Sequence, residues 1–513
     1  MAAIVNLLAG APSASSLTWE TIVWSKVRVH VRRLQMRIAK AFREGKQGKA
    51  KALQWILTHS FYAKLLAVRR VVLNRGAKTP GVDNVIWKSS TQKLQAALSL
   101  KRVGYNTQPL RRIYIPKKQK GYYRPLSIPT MRCRAQQALH LLSLEPIAEM
   151  MADKNAYGFR PLRSTADAIE QCFIALAKKH SAAYILEGDI KDCFNTISSE
   201  WLLTHTPMDK EILGKWLAAG YIEKGKRYPT LNGAPQGGLI SPALLTIVLS
   251  GLEQRVKSIT KYHDKVHLCV YADDFIITGA SREVLERKVK PAVESFLSEG
   301  GLSLSPEKTN ITPIEEGFDF LGMNIRKYKG KLIIKPAKSS IKRLLADIRG
   351  ILKAKVAIKT EALIGLLNTK IRGWGNYYRH VCAKAAFRYV DHYIVKALLR
   401  WAAKRHPNKG KRWIKRKYFR CEALRNWVFS TKVKDKQGKT HKIDLIEACK
   451  IPIRRHVKIR AEATPYNPLY HVYFDKRTSL HQNEKRWERD VIGRCVGGIY
   501  RRRKRESKKK PGC

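Results

Sequence analysis

Two adjacent carboxylates, Asp273 and Asp274, stand in the middle of the hydrophobic segment Val266–Gly279. Leu268, Val270, Phe275, Ile276 and Ile277 flank them, a pattern that predicts a buried strand, a sharp turn and a second buried strand. Desolvating two neighbouring carboxylates is costly unless a cation neutralises them. The pair is therefore a candidate divalent-metal site, with an ordinary solvated turn as the alternative. A second apolar run, Ala183–Asn195, carries Glu187, Asp189 and Asp192. If Asp189 meets the pair at one sheet edge, three carboxylates can hold two divalent ions about 3.5–4 Å apart. That arrangement suits in-line nucleotidyl transfer: one ion activates a primer 3′-hydroxyl, and the other neutralises a triphosphate and its leaving pyrophosphate. Mg²⁺ is the natural ion, because it takes a few carboxylates together with phosphate oxygens. Glu187 is expected deeper on the same strand face and Asp192 beyond the strand end, so both are weaker ligands.

The surrounding elements must position these acids. Val23, Val27, Val31, Leu34 and Ile38 recur at helical spacing in a basic N-terminal region. Leu110–Pro129 reads as two short strands joined by a Lys-rich loop, where cations suit a phosphate ligand; a solvated hairpin turn is the alternative. Helices are expected over about 131–150, 164–179 and 281–299, and an apolar helix through Leu252 follows a Gly- and Pro-rich loop over 227–242. From Ser339 the chain turns helical and basic, with Ile341, Leu344, Leu345, Ile348, Ile351 and Leu352 on one face. Arg400–Arg420 carries ten Lys or Arg with Trp401, Trp413, Tyr418 and Phe419 between them. Such interleaving combines phosphate contact with base stacking; a solvated cationic face is the alternative. Residues 421–480 mix short strand-like pieces with turns.

Composition points the same way. The 513 residues hold 100 Lys+Arg against 40 Asp+Glu, a net charge of +60. Self-repulsion on that scale calls for a bound polyanion, and nucleic acid supplies one through counterion release. No stretch approaches the roughly 20 apolar residues that span a bilayer, so no membrane partner is expected. Met1–Trp19 lacks a charged leader region and is a poor secretory signal. The nine cysteines are scattered, with neither zinc spacing nor a disulfide framework, which fits a reducing, cytoplasmic location. With no residues after Cys513 in the sequence, a prenylation box is not expected there.

At this point the residues carry a resemblance: the set resembles the group II intron-encoded reverse transcriptase/maturase family. Tyr271-Ala272-Asp273-Asp274 matches its catalytic hairpin, and Asp189 with Phe194 matches the block holding the other metal-binding acid and the aromatic under the incoming sugar. Ala234-Pro235-Gln236-Gly237 matches the block contacting the incoming nucleotide, and Arg112–Thr130 the fingers block. Tyr157-Gly158-Phe159-Arg160, Leu304–Thr309 and Phe320-Leu321-Gly322 match three more, in the expected order. Seven ordered blocks are specific where one Tyr-Ala-Asp-Asp is not.

The resemblance implies Asp189, Asp273 and Asp274 as catalytic acids, two Mg²⁺ ions held by Asp189, Ile190, Asp273 and Asp274, and Lys117, Arg124, Phe194 and Gln236 as nucleotide contacts. Ile371–Tyr378 resembles the family's maturase signature. It implies RNA binding by Arg372 and, in the basic stretch beyond, by Lys411, Arg412, Trp413, Lys415, Arg416 and Lys417. The expected fold is α+β: a right-hand polymerase with fingers and palm, an α-helical thumb (maturase) domain and a small basic C-terminal domain. The expected plan is a helical basic extension over 1–100, fingers and palm over 101–337, thumb over 338–420, a DNA-binding domain over 421–480 and a basic tail over 481–513. The expected partners are group II intron RNA, target DNA and dNTPs; the sequence leaves the oligomeric state open.

Two departures stand out. Residues 481–513 offer only Cys495, Cys513 and His481, from which the metal-bound nuclease module of many relatives cannot be built. Bottom-strand cleavage is therefore not expected of this chain, and priming would come from a nascent strand at a replication fork or from another nuclease. Cys133 stands where relatives commonly have Asp, and a packing role is expected for it. Two rival readings remain: a non-catalytic RNA-binding splicing factor that keeps the polymerase fold, and a stand-alone reverse transcriptase of retron or defence type.

Overall fold

The computed structural model describes residues 18–116, 123–230, 233–234, 237–422, 425–434 and 438–479. Lys117, Gln236, residues 1–17 and the tail 481–513 lie outside the described residues. The chain divides into two compact units. One gathers the residues up to Ala175, His180–Thr312 and Ile459–His471; the other holds Leu176–Lys179, Pro313–Lys458 and the residues from Val472 onward.

In the first unit, α1 (Trp24–Arg43), α2 (Gln47–His59), α3 (Phe61–Leu73) and α4 (Ser90–Ser99) form a helical layer. Val27, Val31, Leu34 and Ile38 of α1 are buried as their spacing predicts. Val23 is not: it precedes the helix and is exposed. α4 begins with a capping box, Ser89 Oγ accepting from the Gln92 N–H and Gln92 Oε1 accepting from the Ser89 N–H, both at 3.1 Å.

The next helix, α5 (Met131–Met151), is buried on nearly every side. Met131, Ala135, Ala138 and Leu139 join the core of the helical layer. Cys133, Leu141, Leu144 and Ala148 join a second core beneath the acid-bearing strands. α5 is thus a spine shared by two cores, which is why it shows no apolar stripe. Cys133 is 2% exposed, which makes it a packing residue.

α6 (Thr165–Leu176) follows α5. Two sheets complete this unit. Strands β1 (Leu110–Pro116), β2 (Tyr123–Ile128), β4 (Tyr221–Glu223) and β5 (Lys226–Tyr228) lie in the order β2-β1-β4-β5. Strands β3 (Tyr184–Asp189), β6 (Leu268–Tyr271), β7 (Asp274–Gly279) and β8 (Asn310–Pro313) lie in the order β6-β7-β3-β8.

Two expected helices are interrupted. The one expected through Leu252 ends at Val248 and restarts after Gly251, whose φ is +96° and whose N–H donates to Asp153 Oδ1 at 2.9 Å. The one expected over 281–299 is a π-helical stretch, Val284–Val289, leading into α-helix Lys290–Glu299. Pro291 lacks the N–H that would continue the regular ladder.

In the second unit, β9 (Phe318–Phe320), β10 (Met323–Tyr328) and β11 (Lys331–Pro336) form a meander. Next come α7 (Lys338–Ala354), α8 (Thr360–Tyr378), α9 (Lys384–Arg405) and α10 (Lys411–Tyr418). α7 buries Leu344, Leu345, Ile348 and Leu352. A three-stranded sheet of β12 (Phe419–Glu422), β13 (Arg425–Lys434) and β14 (Thr440–Asp444) closes the unit. Among the described residues no helix is long and apolar enough to cross a membrane.

Candidate active site

The acid pair sits on a hairpin whose two-residue turn is Ala272–Asp273. β6 ends at Tyr271 and β7 begins at Asp274, with these two residues paired in register. Ala272 turns the chain with φ of +62°, a left-handed conformation that costs a residue with a Cβ about 1 kcal/mol. β3 lies antiparallel on the other side of β7, and Asp189 faces Asp274 directly. The Asp273 carbonyl accepts the Ile190 N–H at 3.4 Å. The three acids and Ile190 are therefore brought to one sheet edge.

Like charges placed directly opposite repel. The Asp274 carboxyl is pushed up to about 7, first by burial and then by Asp189, Asp273 and Glu187, with Lys308 opposing them. Such a cluster is poised to gain from a divalent cation, and the chemistry of its donors fits one. By themselves the acids do not close a cage: among the described residues no group of three His, Cys, Asp or Glu side chains is gathered in metal-holding geometry.

The present counter-charge is Lys308, which donates to Asp189 Oδ2 at 2.7 Å and whose own pKa that hydrogen bond raises. Backbone bonds hold this segment against the end of β3: Ser305 N–H to the Asp189 carbonyl at 2.8 Å and Lys191 N–H to the Ser303 carbonyl at 2.9 Å.

Two glycines allow the hairpin to seat. A Cβ on Gly158 would lie 2.2 Å from the Ala272 nitrogen, so the Tyr157–Arg160 loop lies directly against the turn. The same loop pairs with β6 through Tyr157 N–H to the Val270 carbonyl at 2.9 Å and Val270 N–H to the Asn155 carbonyl at 3.0 Å. A Cβ on Gly188 would lie 2.2 Å from the Phe275 ring. Arg160 anchors the loop by bonding buried Glu149 through Nε at 2.8 Å and Nη2 at 3.0 Å.

The other sequence blocks converge here. Phe194 is half-buried, its ring 6.5 Å from Phe159 and edge-on to it. Gly233, with φ of +97°, donates its N–H to the Ile197 carbonyl at 2.9 Å, and a Cβ there would strike the Phe194 carbonyl. Gly237, with φ of +112°, has no room for a Cβ beside the Ser127 carbonyl of β2. The described ends of the Gly/Pro loop thus tie the Phe194 segment to β2, on which Arg124 is exposed and pairs with Ile115. Lys308, Gly158 and Gly188 lie within the segments Leu304–Thr309, Tyr157–Arg160 and Ala183–Asn195, whose pattern gives these three residues no role of their own. For Lys308 the available signal was charge balance, since three clustered acids call for a cation.

In the second unit, Lys411, Arg412, Arg416 and Lys417 are exposed on α10, while Trp413 and Lys415 are half-buried. The cations are combined with rings: Lys417 lies over Trp413 at 4.8 Å and Lys415 over Trp427 at 4.8 Å. Arg372 is half-buried on α8. Trp374 of the same helix is half-buried and packs on Tyr378 and Phe387, with centroids 4.9 and 5.6 Å away. Arg420 is committed to Asp444 by two bonds, at 3.1 and 2.6 Å.

Comparison with known proteins matches three regions of the chain. Residues 115–325 match the family model described as reverse transcriptase (RNA-dependent DNA polymerase). Residues 19–100 match the N-terminal domain of reverse transcriptase, and residues 341–419 the group II intron, maturase-specific domain. Protein YkfC of Escherichia coli (strain K12) is 30% identical over 348 residues, covering 58% of this chain and 90% of that protein. Group II intron-encoded protein LtrA of Lactococcus lactis subsp. cremoris is 27% identical over 410 residues, covering 61% of this chain and 68% of that protein. A solved telomerase from Candida albicans covers 60% of this chain and 64% of its own at 11% identity, with a TM-score of 0.35, too low to bear on the fold. The acid-bearing hairpin and these matches lead to one conclusion: the chain belongs to the group II intron-encoded reverse transcriptase and maturase family, with the α+β right-hand fold of an RNA-directed DNA polymerase.

Proposed function

We propose that this chain binds a group II intron RNA, promotes its splicing, and copies the intron from a primer at a DNA target during retrohoming. The observation that carries the catalytic half is the register of Asp189 against Asp274 beside the Asp273 turn. Asp189, Asp273, Asp274 and the Ile190 backbone would hold two Mg²⁺ ions, which when bound supply activation of a 3′-hydroxyl and charge neutralisation on a triphosphate. The chain's own residues do the rest. Phe194 offers a ring face to the incoming sugar and Arg124 an exposed guanidinium to the triphosphate, and Gln236 is proposed as a further nucleotide contact. Gly158 and Gly188 keep the hairpin from shifting. Lys117 belongs to the same proposed contact set.

The RNA-binding half rests on α10 and its aromatic partners, with Arg372 on α8. Exposed Lys and Arg meet phosphates, and Trp413 offers a ring to an unstacked base. The proposed plan assigns 338–420 to the thumb and 421–480 to DNA binding. The test pairs primer extension in Mg²⁺ with a splicing assay on the Asp273→Ala/Asp274→Ala variant. Extension is expected to vanish while splicing persists. Extension at the wild-type rate would sink the metal assignment, and splicing lost with RNA binding intact would sink the division of labour.

A further inference from the structure

The first unit contains a cavity of about 520 Å³, bordered by α2, the start of α3, the Leu100–Arg102 turn, α5 and the segment Pro207–Glu211. None of the acids of the hairpin lines it. Its volume is that of a small-ligand site.

Three observations indicate what it takes. First, Gln136 lines it at 1% exposure, and its Oε1 has no hydrogen-bond partner among the described residues. An unsatisfied buried acceptor costs about 1–3 kcal/mol, and the Gln136 amide is otherwise held by long contacts, 3.4 Å to the Lys101 carbonyl and 3.5 Å to His140 Nε2. A ligand N–H would complete it. Second, Lys51, Lys64 and Lys101 line the cavity, and no carboxylate pairs with any of them among the described residues. Arg102, by contrast, is taken up by Asp209 and Glu211. Burial, with Lys101 adding to it, lowers the Lys64 pKa, so an anion would relieve both strains. Third, Trp55 lines the cavity at 60% exposure, held in place by stacking on His59 at 4.1 Å. A rigid exposed indole beside unpaired cations is a stacking platform for a base.

We propose that this cavity binds a nucleotide, with its phosphate on Lys51, Lys64 and Lys101, an N–H of its base on Gln136 Oε1, and its base face against Trp55. The nucleotide is either free or one unit unstacked from an RNA strand; the contacts are the same. This site is separate from the hairpin and does not depend on the polymerase reading.

The test uses the full chain in EDTA, which removes divalent-ion support from the hairpin. Binding of AMP is measured by calorimetry. Binding of a single-stranded hexaribonucleotide carrying 2-aminopurine is followed by the fluorescence quenching that stacking causes. The variants are Lys64→Ala/Lys101→Ala, Gln136→Leu and Trp55→Ala; the last alters an exposed ring and spares the core. Asp273→Asn/Asp274→Asn serves as the control. AMP is expected to bind the wild type and the control alike, and about tenfold or more weaker to the cavity variants, as loss of a charge-assisted contact gives. If AMP does not bind but 2-aminopurine quenching is lost in Trp55→Ala and in Lys64→Ala/Lys101→Ala, the site takes a nucleotide within a strand. AMP affinity and quenching both unchanged in those two variants, or no binding of either probe by the wild type, would overturn the proposal.

Discussion

Lys308 donates a 2.7 Å hydrogen bond to Asp189, the carboxylate whose strand partner is Asp274. The ammonium stands beside the acid proposed to hold metal, so it competes for the same lone pairs. The pair is partly exposed, with side-chain exposures of 66% and 27%, and such pairs contribute only about 0.2–1 kcal/mol. Lys308→Ala is therefore expected to lower the Mn²⁺ concentration giving half-maximal thermal stabilisation about two- to fivefold. Asp273→Asn/Asp274→Asn is expected to show no metal-dependent shift. An unchanged Mn²⁺ midpoint in Lys308→Ala would refute the competition.

The two close-packed glycines make separable predictions. Gly188→Ala pushes a methyl into the buried Phe275 ring. Overpacking of this kind costs about 1–3 kcal/mol, to be read as a lower urea midpoint. Gly158→Ala instead meets backbone of the Tyr271–Ala272 turn, which cannot rotate away. Primer extension is expected to fall more than about tenfold, the scale of a small misplacement of catalytic groups, while RNA affinity is kept. Wild-type extension by Gly158→Ala would show that the hairpin tolerates displacement.

His140 sets a pH dependence. Burial lowers its pKa to about 4 from an ordinary 6.5. The unfolded chain thus binds a proton that the folded chain refuses, and stability is lost as pH falls from about 6.5 to 4. The expected loss from this group is about 3 kcal/mol across that window. In His140→Gln the denaturant midpoint should vary less between pH 6.5 and 4.5 than in the wild type. Parallel pH profiles would show that His140 is not the group responsible.

The basic face of α10 should behave electrostatically. Replacing Lys411, Arg412, Arg416 and Lys417 together by Ala removes up to four phosphate contacts. The slope of log affinity for single-stranded RNA against log salt should shrink by about 3. Because these side chains are exposed, the melting temperature should hardly move. A slope unchanged by the quadruple substitution would place RNA binding elsewhere.

What the residues alone determined is local. Apolar runs interrupted by acids announced the β6–β7 hairpin around Asp273 and Asp274, and the strand ending in Asp189. The start of α5 was equally legible, since Thr130 Oγ1 caps it by accepting the Cys133 N–H at 3.2 Å. The aromatic and basic alternation before Arg420 was plain as composition. Tertiary structure decided the rest. The register that sets Asp189 against Asp274 depends on which strand faces of β3 and β7 are buried, and a slip of one residue would turn Asp189 to the other face. The approach of Lys308 depends on the bonds of Ser303 and Ser305 to the end of β3. The orphaned Gln136 and the lysines around it lie on segments far apart in sequence, and only the packing of α2 and α3 against α5 brings them to one cavity. Spacing along a chain records its own period and turns, but a contact between distant segments has no local signature, because it is set by which surfaces the whole fold leaves to bury.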